Sequence, residues 1–203
     1  MAPWVRKSAA SDTDETIVVV TVNDRIRPMD RVERYEDALD HWLGERAPGS
    51  AVVGGGTQLL DSGEIDGSDI EVSLVGDADA GVRVVTVVLE SRGVPVGSRL
   101  VVGDQPPVEL GRTRGVAVYL DGTGLPDEVY ATSEVNEVIA ALEAAVEDLG
   151  PLPFHSFWEG PTESALYFYA EDRDLLRQRL TAELERHPLA QGCRVVDLPD
   201  TLS

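Results

Sequence analysis

Apolar and polar positions along this chain follow the same order twice: strand, helix, strand, strand, helix, strand. Runs of β-branched or alternating residues predict the strands, and apolar residues at helical spacing predict the helices. Asp30 is suited to cap the first helix, because its carboxylate can accept a bond from a free backbone N–H. In the first round we expect strands at 17–22, 51–53, 70–74 and 100–102, and helices at 31–46 and 78–92.

The second half of the chain repeats this order. The helix that should begin after Ser133 has the clearest one-sided apolar pattern, and Asp172 is suited to cap the helix that follows it. We expect strands in this half at 116–120, 154–158, 165–169 and 195–196.

Two short phrases support an internal repeat. The phrase GSRLV at 97–101 recurs as GCRVV at 192–196, 95 positions later, and Gly-Gly-Thr at 55–57 is echoed by Gly-Pro-Thr at 160–162. Each round reads β-α-β-β-α-β, the ferredoxin-like arrangement. We therefore predict an α+β fold of two tandem ferredoxin-like repeats, packed sheet to sheet as the two chains are in a dimeric α+β barrel.

Composition shifts along the chain predict where these units begin and end. The first residues are small and polar, and a stretch with Pro106-Pro107 separates the two rounds. We expect a disordered tail at 1–15, a first unit at 16–103, a linker at 104–114 and a second unit at 115–199.

Acidic residues outnumber basic ones by 37 to 17, which gives a net charge of −20. Such a surface repels phosphate backbones, so we expect no nucleic-acid partner. In the interpretation that we favour, this negative charge keeps the protein soluble. In the other it presents a carboxylate face to a basic protein partner, with Glu64, Asp66 and Asp69 as the binding residues.

The chain has neither a long apolar run nor the apolar core of a signal peptide, so we expect no membrane association. Its single cysteine, Cys193, fits a reducing compartment, and we expect a cytoplasmic protein.

Motifs for metals, phosphates and cofactors are absent from the sequence. The three histidines and Cys193 lack metal-ligand spacing, and the acidic stretch around Asp66 lacks a calcium-loop pattern. Gly54-Gly55-Gly56 is followed by neither a Lys-Ser/Thr pair nor a helix, so a turn or bulge explains these glycines better than a phosphate site. We expect no metal and no cofactor.

The segment 154–169 holds six of the eleven aromatic residues and is the strongest candidate site. Core packing would explain these residues, and so would an aromatic pocket with few polar groups. In the second interpretation Phe157, Trp158, Tyr167 and Tyr169 bind the ligand. His155 and Glu159 are then the candidate catalytic residues, because a histidine can exchange a proton near neutral pH.

Several phrases resemble an uncharacterised family of bacterial proteins, over residues 17–198. They are GGGT at 54–57, GEI at 63–65 with DIE at 69–71, and WEGPTE at 158–163 with Leu-Tyr at 166–167. Some members of that family are called limonene hydroxylase. The resemblance identifies no catalytic residue, and no haem, flavin or non-haem iron site is visible in the sequence.

These observations favour a non-catalytic binding protein. Its partner would be a basic protein surface or a small apolar molecule held between the two units. The alternative is a cofactor-independent enzyme of the dimeric α+β barrel kind, with an aromatic pocket around His155.

Overall fold

The computed structural model describes residues 15–202, which form two antiparallel sheets with helices on one face of each. A π-helical turn, Val32–Glu36, joins the first two helices. The first unit contains strands β1 (Glu15–Val22), β2 (Ala51–Leu59), β3 (Ile65–Val75), β4 (Ser98–Val102) and β5 (Val108–Leu110), and helices α1 (Pro28–Arg31), α2 (Asp37–Arg46) and α3 (Ala78–Ser91).

The second unit follows the same plan, with three α-helices and one strand fewer. Two 3₁₀ turns, Glu147–Leu149 and Pro188–Ala190, lie in its connections. It contains strands β6 (Arg114–Asp121), β7 (Phe154–Glu159), β8 (Glu163–Ala170) and β9 (Arg194–Asp197), and helices α4 (Asp127–Thr132), α5 (Val135–Val146) and α6 (Arg173–Leu184).

The strand order is β2-β3-β1-β4-β5 in the first sheet and β7-β8-β6-β9 in the second, with every neighbouring pair antiparallel. The first four strands of each unit therefore have the ferredoxin-like order. The predicted α+β fold of two tandem β-α-β-β-α-β repeats is confirmed. Strand β5, which extends the first sheet, comes from the segment that we expected to be a linker.

Strand register shows which parts of the two units are equivalent. Arg99 in β4 lies opposite Thr21, and Arg194 in β9 lies opposite Tyr119, so the GSRLV and GCRVV phrases occupy matching places. The second echo is different. Gly55 lies within β2, next to a bulge, whereas Gly160 lies in the turn between β7 and β8. The bulge itself falls at Val53, and Gly54, Gly55 and Gly56 pair regularly with β3, so these glycines form neither the expected turn nor the bulge. The two glycine phrases are not structural counterparts.

Each unit has its own core between sheet and helices, because alternate strand residues point to opposite faces. A third cluster lies on the other face of the second sheet, where it is buried against the first unit. Its members are Ala117, Tyr119, Ala165, Tyr167, Tyr169 and Leu198. The end of the chain also returns to the first unit, where Asn23 Nδ2 donates to the Pro199 carbonyl at 3.1 Å.

Two helix starts differ from the prediction. The first helix begins at Pro28, and the Asp30 carboxylate accepts bonds from Arg27 and Ser156 instead of capping the helix. In the second unit α4 forms first, and α5 begins at Val135 with Glu134 rather than Ser133 at its cap position. The cap at Asp172 is confirmed, since its side chain accepts from the Leu175 N–H at 2.9 Å.

The first described residue already belongs to the first sheet. Glu15, which we placed in the tail, belongs to β1, and its carboxylate accepts a bond from Ser73 Oγ at 2.7 Å. Residues 1–14 of the predicted tail lie outside the described residues. Within residues 15–202, none of the helices combines the length and apolar character needed to cross a bilayer.

Candidate functional site

A cleft of about 440 Å³ lies between the two units. One wall comes from the start of α1 and the β2–β3 hairpin, and the other from β7 and β8. Most lining side chains are apolar or aromatic, and Arg27, Thr57 and Glu159 supply the polar groups. The lining residues are Arg27, Pro28, Thr57, Leu59, Gly63, Ile65, Phe157, Trp158, Glu159 and Tyr167.

Tyr167 is fixed in the wall of this cleft by a buried carboxylate of the other unit. Its hydroxyl donates to Glu64 Oε2 at 2.7 Å, and the Tyr119 hydroxyl donates to the same oxygen at 2.8 Å. Arg25 Nη1 adds a charged bond to it at 2.6 Å, and Ser62 Oγ donates to Oε1 at 3.2 Å. Four donors thus hold Glu64, which explains how a carboxylate can be buried here.

The pKa shifts in this cluster have the direction that such bonding requires. Burial acts to raise the pKa of Glu64, but the two tyrosine hydroxyls and the charge of Arg25 hold it below its usual value. Burial and the bond to Glu64 raise the pKa of Tyr119 to about 12, and they raise the pKa of Tyr167 as well. Glu64 is therefore the ionised acceptor and both tyrosines are neutral donors.

Arg27 shapes the opposite side of the cleft. Its guanidinium lies 3.6 Å from the centre of the Phe157 ring, a cation–π contact across the unit boundary. Asp30 holds the guanidinium through bonds of 2.8 and 3.0 Å. Ser156 Oγ donates to Asp30 at 2.6 Å and accepts from the Arg27 backbone N–H at 3.1 Å. This arrangement fixes the aromatic ring against the start of α1.

Behind the cleft, His155 lies in a second buried network that also joins the units. Its Nδ1 is 2.7 Å from Asp24 Oδ2, and its Nε2 is 2.6 Å from Arg34 Nη2. Because arginine can only donate, Nε2 must accept, and the ring proton is on Nδ1. The Tyr35 hydroxyl also donates to Asp24 Oδ2, at 2.7 Å, and the Tyr169 ring stacks on His155 with centres 4.3 Å apart.

The charges of this network follow from burial and pairing. Burial lowers the pKa of His155 to about 4, with Arg34 adding to the effect and Asp24 opposing it. Burial acts to raise the pKa of Asp24, but His155, Arg34 and Tyr35 hold it below its usual value. At neutral pH the network therefore contains one carboxylate, one guanidinium and a neutral imidazole.

Arg34 also supports the chain before β7. Its Nη2 donates to the carbonyls of Pro151 and Leu152 at 3.0 and 2.7 Å. Leu152 has a φ of 51°, which an L-residue with a side chain rarely adopts. The π-helical turn supplies both Arg34 and Tyr35, so this irregular turn positions the side chains that reach the second unit.

The structure brings four of the six residues proposed for catalysis and ligand binding to the cleft: Phe157, Trp158, Glu159 and Tyr167. Tyr169 is buried, and its hydroxyl accepts from the Arg25 backbone N–H at 3.0 Å. His155 is also buried, with a side chain only 1% exposed, and it does not line the cleft.

The expected carboxylate face requires a correction. Glu64 and Asp66 are each only 8% exposed, because the β2–β3 hairpin packs against the second unit. Asp69 is half-buried and lies 3.5 Å from Gln58 Nε2. Two of the three residues proposed to bind a basic partner thus lie inside the protein.

Sequence reasoning missed Arg25, Arg27 and Arg34, although a signal was present. Residues 25–34 contain four of the 17 basic residues of a strongly acidic chain, at the connection from β1 into the first helix. Such a concentration of guanidinium groups indicates fixed carboxylate partners, which the structure supplies as Glu64, Asp30 and others.

The described residues contain no group of side chains that could bind a metal ion. Within 15–202, no three His, Cys, Asp or Glu side chains are grouped so that they could hold an ion. The two buried carboxylates described above have protein donors as partners instead.

Comparison with known proteins gives only faint likenesses. No family model matches the chain, and no curated protein matches its sequence. An unknown protein from Galdieria sulphuraria is 17% identical with a TM-score of 0.32, over 93% of this chain and 100% of that one. The regulatory subunit of aspartate kinase from Thermus thermophilus is 13% identical with a TM-score of 0.26, over 84% and 92%. A mutant chlorite dismutase from Candidatus Nitrospira defluvii is 12% identical with a TM-score of 0.27, over 94% of both chains. We assign no activity from likenesses this slight.

Proposed function

We propose that this protein is a non-catalytic binding protein that holds a small, mainly apolar molecule in the cleft between its two units. The observation that carries this proposal is the composition of the cleft. Leu59 and Ile65 from one unit face Phe157, Trp158 and Tyr167 from the other. The volume of about 440 Å³ lies within the ordinary range of small-molecule sites, about 300–1,000 Å³.

The walls of the cleft are held before any ligand arrives. Tyr167 is bonded to Glu64, and Phe157 is covered by Arg27, which Asp30 fixes in turn. Side chains that are already ordered lose little conformational entropy on binding, so a preformed apolar site can bind with useful affinity.

The enzyme alternative has less support from the same geometry. A general acid or base must reach the reacting group, and both nitrogens of His155 are occupied by Asp24 and Arg34. A pKa of about 4 keeps this imidazole neutral and unable to act as an acid at neutral pH. A basic protein partner is also less favoured, since the burial of Glu64 and Asp66 removes two carboxylates from the proposed contact surface.

A dye-binding experiment tests the proposal. The neutral dye N-phenyl-1-naphthylamine becomes fluorescent in apolar sites, and Trp158→Ala should weaken its binding by about tenfold or more, because a large aromatic wall is lost. Trp42→Ala is the matched control, since Trp42 is 41% exposed beside a separate groove between α2 and α3 on the outer face of the helices, and it should bind the dye as the wild type does. A second variant, Gly160→Ala, should act like Trp158→Ala, because the new methyl group would lie 2.0 Å from the Trp158 ring.

The opposite pattern would overturn the proposal. If Trp42→Ala lost the dye and Trp158→Ala kept it, the dye would occupy the outer helix face and the cleft would have no demonstrated ligand. Native mass spectrometry of protein purified from its source adds an independent readout. We expect a retained small molecule that the Trp158→Ala protein no longer carries.

A further inference from the structure

The helix side of the second sheet has an open cleft at a position that is filled in the first unit. Strand register identifies the equivalent positions of the two units. Leu120 pairs with Ser164 in the second sheet, and Val22 pairs with Ser68 at the same place in the first. Val22 and Ser68 are both 0% exposed, and Ile26 belongs to the same core cluster as Val22. Ser164 is half-buried and borders the cleft.

The different connections after the first strands account for this opening. In the first unit α1 begins at Pro28, and the fully buried Tyr35 follows in the π-helical turn. In the second unit α4 intervenes, and the long helix α5 begins only at Val135. The resulting cleft measures about 300 Å³. Its lining residues are Leu120, Asp121, Gly122, Tyr130, Val135, Asn136, Ile139, Phe157, Glu159, Ser164, Leu166 and Leu189.

The lining of this cleft combines an apolar floor with negative charge. Leu120, Leu166 and Leu189 are buried, and Ile139 packs against the same core. Asp121 and Glu159 are charged, and no Arg, Lys or His is among the described residues that line this cleft. An anionic ligand would meet two carboxylates without a counter-charge, whereas a cation would meet two partners.

Asp121 is held as an ionised acceptor at the mouth of the cleft. Its Oδ1 accepts from the backbone N–H groups of Thr123 and Gly124 at 2.8 and 2.6 Å, and these bonds lower its pKa. Tyr130 is fixed beside it, since its hydroxyl donates to the Asp121 carbonyl at 3.3 Å and accepts from the Leu125 N–H at 3.0 Å. An aromatic ring and a carboxylate together favour a cationic group with an apolar body.

We infer that this second cleft binds a small apolar amine. The ammonium group lies at Asp121 and Glu159, and the apolar body lies on Leu120, Ile139 and Phe157. The net charge of −20 favours this class of ligand further, because it raises the local concentration of cations. Phe157 and Glu159 border both clefts, but the inference does not require the ligand proposed for the cleft between the units.

Three probes of nearly equal shape test the charge requirement: 4-phenylbutylamine, the neutral 4-phenylbutanol and the anionic 4-phenylbutyrate. Isothermal titration calorimetry should show the amine binding about tenfold or more tightly than the alcohol, as expected for a charged hydrogen bond, and the acid binding least. Asp121→Asn keeps the acceptor for the turn and removes the charge, so it should lower amine affinity about tenfold and leave alcohol affinity unchanged.

The controls separate this cleft from its surroundings. Asp127→Asn removes a nearby exposed carboxylate of α4 that does not line the cleft, and it should not change amine affinity. Trp158→Ala changes only the cleft between the units and should leave amine binding intact. The inference is overturned if the three probes bind equally or not at all, or if the double variant Asp121→Asn with Glu159→Gln binds the amine as tightly as the wild type.

Discussion

The two units share one sheet order, yet their first strand-to-helix connections have different consequences. In the first unit α1 continues directly into the π-helical turn, and side chains from the connection and this turn extend outward: Arg25, Arg27 and Arg34 all contact residues of the second unit. In the second unit the separate short helix α4 follows the strand, and the sheet is left partly uncovered. The comparison shows how one repeated fold can supply the joint between the units in one copy and an open cleft in the other.

The largest effect should come from breaking that joint. Arg34→Met retains most of the side-chain volume but removes the charged donor to His155 Nε2 and to the carbonyls of Pro151 and Leu152. Leaving a buried acceptor without its charged donor typically costs about 1–3 kcal/mol, so the loss of these bonds should lower the free energy of unfolding by about 3 kcal/mol or more. Urea denaturation followed by circular dichroism measures this loss.

The control for that prediction is Arg112→Met, since this arginine is 76% exposed and 3.6 Å from Glu90. An exposed pair of this kind contributes about 0–1 kcal/mol, so the control should unfold nearly as the wild type does. Similar unfolding curves for the two variants would show that the network around Asp24 does not stabilise the joint.

A smaller and pH-dependent effect should arise from His155. Its pKa of about 4 in the folded protein is below the usual 6.5, so between these values the unfolded chain binds a proton that the folded chain does not. Stability is therefore complete above about pH 6.5 and falls as the pH decreases toward about 4, by up to about 1.4 kcal/mol per pH unit.

Denaturation midpoints measured from about pH 7 down to about pH 5 check this slope. His155→Gln should flatten it, whatever its effect on stability at neutral pH. A slope that is unchanged in His155→Gln would mean that other groups cause the acid sensitivity.

The fold could be predicted from the sequence because its signals are local and occur twice. Alternation predicted β3 around residues 70–74, helical spacing predicted α3, and the GSRLV repeat predicted matching last strands. The short helix α4 and the π-helical turn were not predicted, since neither changes the apolar spacing enough to be distinguished from its surroundings.

The candidate site was only partly predictable, because its decisive contacts are distant in sequence. The aromatic segment drew attention to Phe157, Trp158 and Tyr167, which line the cleft between the units. Nothing near His155 shows that Arg34 and Asp24, 121 and 131 positions away, occupy its two nitrogens. The buried Glu64 was mistaken for part of an exposed acidic face for the same reason: its partners Tyr119 and Tyr167 belong to the other unit.

The smallest effect is expected from a variant that fills the open cleft of the second unit and so makes it resemble the first. Asn136 lines that cleft in the first turn of α5 and is exposed, so Asn136→Leu places an apolar side chain over Leu120 and Leu166. We expect a gain of about 0.5–1 kcal/mol in the free energy of unfolding, from buried apolar area and better helix propensity. Asn136→Ala improves the helix propensity without filling the space, so the difference in stability between the two variants measures the effect of filling the cleft.

In calorimetry Asn136→Leu should no longer bind 4-phenylbutylamine, while Asn136→Ala should still bind it. Equal amine binding by both variants would mean that the space beside α5 is not where the amine binds, and the contrast between the filled and the open unit would then have no consequence for binding.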